Sequence, residues 1–532
     1  MLRQSARSSV NNIAKLSYKR PTTFVNNGIA TQLNNMKNRY SQEAINIDNK
    51  RPEADEVLRK ISSYVHNKGI TSPEAYETAR LCLLDTLGCG LAALKYDQPK
   101  NLIKPIVPGT IVPNGTKVLG TKYRMDPVKG AFAIGTLIRW LDFNDCWLAA
   151  EWGHPSDNLG GILAVADHLT RLSKATGGDE GRLFTVKDVL EAMIKAHEIQ
   201  GIIALENSFN KVGLDHVVLV KVATTAVVSK MLGLSEAQTT EALSHAFVDG
   251  QALRTYRHAP NTGSRKSWAA GDAVARAVNI AYLVKNGSPG TIPSVLTAKT
   301  WGFYDVLFKG KPFTFQQRDT FGSYVMENVL FKISFPAEFH AQTAVEAAIK
   351  VNKQLAELGK TYKDIKKVRI RTQEAAVRII DKEGPLYNYA DRDHCIQYMT
   401  AIPLIYGRLT ADDYSDEVAS NPEIDELRAK MYCTKDDQFT LDYHDPSKRS
   451  IPNALLVELN DGTVLDEVVV EYPIGHRLRR KEGVPLLMQK FYHHLREHFA
   501  GDIEKVEALM EASTDDGFLN LTVDEYVNMY CD

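Results

Sequence analysis

The chain has 532 residues, of which 44% are hydrophobic and 24% are charged, which is the ordinary balance of a globular protein. Its formal net charge of -1 argues against a general nucleic-acid-binding protein, which normally has a clear basic excess. No run approaches the roughly 20 apolar residues that a membrane-spanning helix needs, so we expect a soluble protein that binds neither nucleic acid nor membrane.

The N-terminal segment has its own composition. Residues 1–42 contain seven Lys or Arg residues and no Asp or Glu, and the first acidic residue is Glu43. A basic, acid-free segment rich in Ser and Asn is typical of a mitochondrial transit peptide. Arg39-Tyr40-Ser41 also resembles an arginine-guided processing site, so we predict a transit peptide over residues 1–42 and a location in the mitochondrial matrix. The alternative is a tail without a targeting role.

Helical periodicity dominates the chain from about residue 53 to residue 331. Ser72-Pro73-Glu74 predicts a helix start, because Ser caps helices well and Pro fits the first turn. Ser235, with Gln238 three residues later, matches a capping box. The spacing of apolar residues predicts further helices over residues 186–201, 216–232, 235–248 and 268–285.

The pattern changes near Ser334. Residues 367–371 alternate polar and apolar side chains as a half-buried strand does. Residues 454–459 and 463–472 flank the sequence Asn-Asp-Gly, which predicts a β-hairpin. After Pro473 the chain becomes basic, and from about Pro485 its spacing is helical again.

These patterns predict a mainly α protein with an α+β lid. The predicted parts are the transit peptide (1–42), the first part of a helical domain (48–333), an inserted α+β lid domain (334–472) and C-terminal helices that complete the helical domain (473–532). The helical domain is therefore large and discontinuous.

The six cysteines are scattered, and none belongs to a CxxC pair. Their spacing matches neither a zinc ribbon nor a common iron–sulfur motif. We expect reduced thiols and neither a metal nor another cofactor.

The stretch from Trp140 to Gly161 concentrates chemically active side chains among three tryptophans. Its acids and imidazole are Asp142, Asp145, Glu151, His154 and Asp157. If residues 138–145 are helical, Asp142 and Asp145 lie on one helix face. His154 precedes a predicted helix over residues 158–172, and the start of a helix favours an anionic ligand.

Three interpretations of this stretch are open. Asp142, Asp145, Glu151 and His154 could bind a hard metal ion, although no recognised ligand spacing is present. The stretch could instead be a structural polar turn in which the tryptophans fill gaps. An acid–base site is the interpretation that we favour.

A second segment, from Arg254 to Ala273, is rich in cations. It holds five potential positive charges within thirteen residues: Arg254, Arg257, His258, Arg265 and Lys266. Such a cluster suits recognition of carboxylates or phosphates, through bidentate Arg contacts and a Lys point charge. It contains no P-loop sequence, and a solvated basic loop is the alternative.

Three further segments are weaker candidates. His216, at the start of an apolar helix, is by itself more often a cap or a core residue than a catalyst. Residues 335–340, which include His340, lie where the helical pattern gives way to strands, a favourable place for a cleft. Residues 390–398 offer an Arg, a His and a Tyr, which surface salt bridging explains almost as well. Together the candidates describe a cleft that suits a small polycarboxylate and proton transfer near neutral pH.

Six blocks of this sequence resemble the motifs of the MmgE/PrpD family, in the expected order and over nearly the whole chain from residue 50. They are LDFND (141–145), AAEWGHPSDNLGG (149–161), GLDH (213–216), SRKSWAAGDA (264–273), FPAEFHAQTA (335–344) and DHCIQYMTAIPLIYG (393–407). The likeness is greatest to the family's 2-methylcitrate dehydratase branch. It implies cofactor-independent dehydration of 2-methylcitrate to 2-methyl-cis-aconitate in the methylcitrate cycle of propionate breakdown, and a homodimer.

The resemblance also implies an active site between a large helical domain and a smaller lid. By motif match, its residues fall on Asp142, Cys146, His154, His216, Lys266 and His340. Cys146 departs from the threonine that is common in the family, which removes a hydroxyl from that position.

Our mechanistic hypothesis assigns a role to each candidate residue. His154 and Asp142 transfer protons, Lys266 and His216 bind or polarise substrate carboxylates, and Cys146 contacts the substrate. His340 contributes when the lid closes, and Arg254 and Arg257 add positive charge at the rim. The sequence does not say which group is the acid and which is the base.

Rival functions are open at this stage. The nearest are cis-aconitate decarboxylation, which another branch of the family performs, and hydration of a related tricarboxylate. A metal-dependent hydrolase centred on Asp142, Asp145 and His154 belongs to a different class, as does a non-catalytic helical scaffold.

Overall fold

The structure is a computed structural model that describes residues 49–515 and 517–531, so the predicted transit peptide lies outside the described residues. The helices of the first part are α1 (Glu56–Asn67), α2 (Pro73–Ala93), α3 (Asp97–Leu102), α4 (Pro127–Arg139), α5 (Leu159–Ala175), α6 (Val186–Glu206), α7 (Val217–Met231), α8 (Glu236–Val248), α9 (Arg265–Gly287), α10 (Phe303–Leu307) and α11 (Tyr324–Asn328). A two-residue antiparallel ladder, β1 (Thr116–Lys117) and β2 (Arg124–Met125), precedes α4.

The second part mixes helices and strands. Its elements are α12 (Gln342–Glu357), β3 (Ile365–Thr372), α13 (Glu374–Ile380), α14 (Tyr389–Arg392), α15 (Ile396–Tyr406), α16 (Asp416–Ala419), α17 (Pro422–Arg428), β4 (Met431–Lys435), α18 (Asp437–His444), β5 (Asn453–Leu459) and β6 (Val468–Val470). Three helices follow: α19 (Arg480–His498), α20 (Ile503–Thr514) and α21 (Val523–Met529). The fold is therefore mainly α, with a small mixed sheet.

The helix signals in the sequence are confirmed. The Ser72 hydroxyl accepts a hydrogen bond from the Ala75 amide at 3.2 Å, as a helix cap does. Ser235 and Gln238 form the predicted capping box at the start of α8. Helix α9 begins at Arg265 instead of Trp268, which places Lys266 in the first turn.

Small residues allow three helices that carry the candidate site to approach closely. A Cβ atom added at Gly160 in α5 would lie 2.8 Å from the Cα of Gly135 in α4. A Cβ atom at Gly271 in α9 would lie 2.4 Å from the Thr136 hydroxyl of α4. Only glycine fits these contacts, so the end of α4 and the starts of α5 and α9 lie close together.

The described apolar residues form two cores. The larger core joins the helices up to α11 with the C-terminal helices, and Leu487, Phe491 and Leu495 of α19 lie in the same cluster as residues of α2. We predicted a helix start near Pro485. Helix α19 instead begins at Arg480, so Pro485 lies inside it. The domain boundaries at residues 334 and 473 stay predictions.

The second core packs α12 and α15 against a four-stranded sheet with the order β4-β3-β5-β6. Strand β3 runs parallel to β4 and antiparallel to β5. The predicted turn after β5 is present, since the Leu459 amide donates to the Thr463 carbonyl at 2.8 Å. The strand predicted over residues 463–472 is wrong in length, because only β6 pairs regularly with β5. The sequence analysis also missed β4, a partly exposed edge strand, and the short β1–β2 ladder.

Among the residues that the structure describes, no helix combines the length and the apolar character that a membrane crossing requires.

The glycine contacts generate a prediction about stability. Gly271→Ala should lower the free energy of unfolding by about 1–3 kcal/mol, because the new methyl group must displace α4. Gly287→Ala, in the last turn of the same helix, is the matched control, since a Cβ there meets nothing within 4 Å. We expect the control to unfold at the wild-type denaturant concentration or slightly above it. Equal destabilisation of the two variants would contradict the close-packing argument.

Candidate active site

The candidate site is built where α4 ends, where α5, α7 and α9 begin, and where the loop after α14 reaches them from the second core. Asp142 follows α4, and His154 precedes a 3-10 turn (Pro155–Asn158) that leads into α5, as predicted. His216 precedes α7, and Lys266 lies in the first turn of α9. These side chains are buried.

Residues 138–145 are not one helix, so the condition for Asp142 and Asp145 to share a helix face is not met. Helix α4 ends at Arg139, and the chain then turns at Asp142, whose φ of +51° lies in the left-handed region. Asp142 and Asp145 therefore do not share a helix face. Asp142 contacts three cations, whereas Asp145 contacts a histidine of α6.

Asp142 lies at the centre of a buried ion-pair cluster. Its Oδ1 lies 2.7 Å from Arg139 Nη1 and also accepts a hydrogen bond from Lys332 Nζ. Lys332 Nζ donates a second bond to the Asp142 carbonyl at 2.8 Å, and Lys266 Nζ lies 3.6 Å from Oδ2. Burial by itself would raise the pKa of Asp142, but the three cations outweigh it and hold that pKa well below its usual range. The carboxylate is therefore charged.

Lys266 joins this cluster to the second core. Its Nζ donates to Asp393 Oδ2 and lies 3.1 Å from His394 Nδ1, and both partners are buried. Burial lowers the pKa of His394 to about 4, so this imidazole is neutral at pH 7. The salt-bridging alternative for residues 390–398 holds for Arg392, which pairs with exposed Asp416 at 2.7 Å. It is wrong for Asp393 and His394, because neither faces solvent.

His154 has one defined tautomer. Its Nδ1 lies 2.7 Å from the Asp145 carbonyl, which can only accept, so Nδ1 carries the hydrogen. Its Nε2 therefore has a lone pair, which accepts a hydrogen bond from Arg139 Nη2 at 2.8 Å. Burial, reinforced by the Arg139 charge, holds the pKa of His154 well below its usual range. The ring is neutral.

Asp145 holds His154 in place. Its carboxylate lies 2.9 Å from His197 Nε2 and accepts a hydrogen bond from the Ser156 amide at 3.1 Å. The Cys82 thiol donates to the same carboxylate at 3.6 Å. These contacts fix the backbone carbonyl that sets the His154 tautomer.

His216 links two halves of the site. Its Nδ1 lies 3.2 Å from Asp215 Oδ1, its Nε2 lies 3.8 Å from Asp157 Oδ2, and its ring centroid is 5.5 Å from that of His154. It occupies the N-cap position of α7, but its side chain makes no capping bond. The Arg257 Nε donates to Asp215, which places a cation beside the same carboxylate.

The remaining predicted residues surround Trp152. The Arg254 guanidinium lies 5.1 Å from the Trp152 ring centroid, and the His340 ring meets it edge-on at 5.5 Å. His340 Nδ1 lies 2.8 Å from Glu338, and Nε2 lies 3.1 Å from the Tyr443 hydroxyl. Cys146 pairs through its backbone with Leu330, and burial raises the pKa of its thiol well above the usual range, so the thiol is protonated.

Several buried polar atoms of this site have no hydrogen-bond partner among the described residues. They are Arg254 Nη1, both ring nitrogens of His216, and Asp157 Oδ2. Each of these three side chains is at most 4% exposed. Because unpartnered buried polar atoms are costly, these atoms need a polar ligand or ordered water to satisfy them.

A cavity of about 520 Å³ is lined by residues that neighbour Lys266 and Asp393 in the sequence, although none of the eight predicted site residues lines it. Its lining includes Ser264 and Ser267, which lie two residues before and one residue after Lys266, together with Trp140 and Tyr389. The helical core and the second core both contribute to it.

The eight predicted site residues form one connected neighbourhood, which pattern analysis alone could not show. The sequence analysis missed Arg139, Lys332, Asp393 and His394. Arg139 and Lys332 belong to no motif that we recognised, although each lies close in sequence to a predicted site residue. Asp393 and His394 were noticed but were not assigned to the site, because their burial is not visible in the sequence.

Two groups of described side chains could supply metal ligands by distance. They are Cys82, Asp145 and His197, and Asp142, Asp393 and His394. In the first group, the Asp145 carboxylate already contacts His197 and a backbone amide, and in the second, lysines pair with both carboxylates. These contacts favour ion pairs and hydrogen bonds over metal coordination, and the absence of a metal stays a prediction.

Two family models match this chain. The model of the MmgE/PrpD N-terminal domain matches residues 59–316, and that of the MmgE/PrpD C-terminal domain matches residues 335–516.

Curated proteins are similar over most of the chain. A Saccharomyces cerevisiae protein named "Probable 2-methylcitrate dehydratase" is 76% identical over 482 residues, which cover 91% of this chain and 93% of that protein. A Yarrowia lipolytica protein named "2-methylcitrate dehydratase, mitochondrial" is 68% identical over 488 residues, which cover 92% of each. An Escherichia coli protein named "2-methylcitrate dehydratase" is 61% identical over 485 residues, which cover 91% of this chain and 99% of that protein.

Proposed function

This chain belongs to the MmgE/PrpD family, and from that premise we propose that it is a hydro-lyase that eliminates water from 2-methylcitrate to give 2-methyl-cis-aconitate. This is the dehydration step of the methylcitrate cycle of propionate breakdown. Relatives that cover about nine tenths of the chain are named for the same activity. We propose that it needs no iron–sulfur cluster. Among the described side chains, one possible group of metal ligands contains a cysteine, Cys82, and that group contains no second cysteine.

The observation that carries this proposal is the buried group of cations with unpartnered polar atoms beside it. The cations are Arg139, Arg254, Arg257, Lys266 and Lys332, all at most 5% exposed. A substrate with three carboxylates and a hydroxyl can use these charges together with the unpartnered atoms of Arg254 and His216. Away from water such contacts are stronger, and they stabilise the negative charge that develops on a carboxylate during elimination.

We propose His154 as the base. The substrate loses a proton from the carbon that carries the methyl group and a carboxylate, and the electron pair of that C–H bond forms the new double bond. His154 is neutral and has its lone pair on Nε2, so it can accept the proton once Arg139, whose charge helps to lower the His154 pKa, has moved away. Arg139 would move from Nε2 to the adjacent substrate carboxylate, which frees the lone pair and stabilises the developing charge.

For Asp142, the contacts support a positioning role over the proton-transfer role in our initial hypothesis. Its pKa lies well below its usual range, and its oxygens face three cations. A carboxylate held in this way donates no proton near neutral pH and accepts one poorly. It keeps Arg139, Lys266 and Lys332 in position to meet the substrate.

The other predicted residues receive binding roles in this proposal. Lys266 and His216 contact substrate carboxylates, and Arg254 and Arg257 add positive charge on the side of Asp215. His340 and Cys146 form the wall next to the second core.

A substrate panel tests the proposed reaction. Purified protein incubated with 2-methylcitrate should show rising alkene absorbance without release of carbon dioxide. Carbon dioxide from cis-aconitate would identify a decarboxylase, and faster turnover of citrate would identify a different hydro-lyase. Inactivity on every tricarboxylate would overturn the proposal and favour a non-catalytic scaffold.

The proposed roles predict the effect of two substitutions. His154→Ala and Lys266→Ala should each lower turnover of 2-methylcitrate by about 10²-fold or more, because each removes a group that acts on the reacting atoms. His168→Ala and Lys60→Ala are matched controls outside the site, where His168 binds the Asn114 carbonyl and Lys60 pairs with Glu56. If both site variants kept near-normal turnover, the assignment would have to be abandoned.

We propose that the chain acts in the mitochondrial matrix. The basic composition of residues 1–42 supports this location, and the Yarrowia lipolytica relative is named as mitochondrial. A fusion of residues 1–42 to a fluorescent reporter should accumulate in the matrix. A diffuse cytosolic signal would reject the prediction.

We also propose a homodimer, following the family resemblance. Ile106, Val107 and Ile111 lie within six residues of one another and are 85%, 65% and 71% exposed, so they offer an apolar surface that a second copy could cover. Sedimentation at micromolar concentration should give twice the chain mass, and Ile106→Asp with Val107→Asp should weaken the association. A monomer under the same conditions would contradict the proposal.

A further inference from the structure

Glu151 is a fully buried carboxyl group, three residues before His154 on the same loop. The loop is anchored at both ends. The Glu151 amide donates to the Ala204 carbonyl near the end of α6 at 3.0 Å, and Trp147 and Gly153 pair through their backbones at 2.8 and 3.1 Å. Glu151 thus lies on the same anchored loop as His154, the proposed base, and the proposed proton abstraction does not use it.

The two oxygens of Glu151 have different surroundings. Oε2 accepts hydrogen bonds from the Asn210 amide at 2.7 Å and from its side-chain Nδ2 at 2.5 Å. Arg378 of α13 donates to Asn210 Oδ1 at 2.8 Å, which orients the Asn210 side chain. Oε1 has no hydrogen-bond partner among the described residues.

Oε1 faces a cation that is also unpartnered. Arg254 Nη1 lies 4.0 Å from it and has no hydrogen-bond partner within the described part of the chain. Arg254 Nη1 also lies 3.9 Å from Asp215, which contacts His216 and so leads back to His154. A chain of contacts through Arg254, Asp215 and His216 therefore links Glu151 to His154.

The protonation of Glu151 follows from its surroundings. Burial raises its pKa to about 7, although Arg254 and the hydrogen bonds from Asn210 oppose the rise, and nearby Asp215 reinforces it. Because Oε2 accepts two N–H donors, it acts as the carbonyl oxygen of the acid, and the proton lies on Oε1. Two donors, the Oε1 hydroxyl and Arg254 Nη1, thus lie 4.0 Å apart, and neither makes a hydrogen bond among the described residues.

We propose that Glu151 is the general acid that protonates the departing hydroxyl group of the substrate, an inference that rests on the proposed dehydration. The Oε1 proton moves to the hydroxyl oxygen, the C–O bond breaks with its electron pair going to that oxygen, and water leaves. The proton taken from carbon ends on His154, and the proton given to the hydroxyl group comes from Glu151. The enzyme returns to its initial state when His154 releases a proton to solvent and Glu151 takes one up.

The surroundings also stabilise the product form of this acid. After proton transfer, the Glu151 carboxylate keeps both bonds from Asn210 and attracts the Arg254 charge. Trp152, against which Arg254 packs at 5.1 Å, adds an apolar wall that keeps the site dry. The charged groups around Glu151 are Arg254 from the 3-10 turn at residues 254–257, Asp215 before α7, and Arg378 from α13. Arg254 Nε also donates a hydrogen bond to His258 Nε2 at 3.2 Å.

Glu151→Gln is the direct test, because it preserves the shape and the acceptor for Asn210 but removes the transferable proton. In the wild type, kcat/KM for 2-methylcitrate should fall as pH rises through about 7, since the acid loses its proton. In the variant, kcat should fall by about 10²-fold or more with KM changed less than about threefold, and this alkaline decrease should disappear.

A second measurement does not depend on activity. Because the folded pKa of Glu151 is raised from 4.5 to about 7, its stabilisation is fully present below pH 4.5 and is lost as pH rises to about 7. The denaturant midpoint of the wild type should therefore fall over this window more steeply than that of Glu151→Gln.

Glu198→Gln provides the matched control, because Glu198 is also buried in this region and has its pKa raised by burial. Both of its oxygens accept backbone amides, from Gly322 and Val325 at 2.8 Å, so its role is structural. That variant should unfold more easily but keep the wild-type pH profile of activity.

The outcomes separate this inference from the proposed function. If the wild type dehydrates 2-methylcitrate but Glu151→Gln keeps its kcat and its alkaline decrease, the acid role is wrong and the proposed function stands. A rise in KM alone would show a binding residue and would also overturn the acid role. If the wild type dehydrates no tricarboxylate, both proposals fall.

Discussion

The buried carboxylate of Asp142 and the three cations around it are the interaction on which the site depends. A charge removed from water is costly unless opposite charges and hydrogen bonds compensate it. The chain turns at Asp142 in a left-handed conformation, and there the carboxylate contacts Arg139 and Lys332 together. Lys332 precedes the second core in sequence and Lys266 bonds to Asp393 within it, so the same charges join the two cores.

Close helix packing makes this arrangement geometrically possible. Gly135, Gly160 and Gly271 bring α4, α5 and α9 so near that no side chain fits between them. The end of α4 and the starts of α5 and α9 then converge, and they carry Arg139, His154 and Lys266. The packing of the helical core therefore also places the groups to which we assign catalytic roles.

Burial acts on the ionisable groups of the site in opposite directions. It keeps the imidazole of His154 neutral, because a buried cation beside Arg139 is unfavourable, and it raises the pKa of the Glu151 carboxyl group to about 7. A neutral imidazole can accept a proton, and a protonated carboxyl group can donate one. When the surroundings shift the pKa values of two groups in opposite directions, one site can supply a base and an acid at the same pH.

The sequence by itself determined the mainly helical class, the caps at Ser72 and Ser235, the turn after β5 and the motif blocks that carry five of the eight predicted site residues. These features depend on preferences and spacings within a few residues, so local sequence encodes them. Only the tertiary structure decided that Asp142 leaves the helix, that Asp393 and His394 are buried, and how each group is protonated. Those outcomes depend on partners distant in sequence, with Lys332 lying 190 residues from Asp142 and Asp393 lying 127 residues from Lys266. Burial and charge act through space, and a linear pattern does not contain those distances.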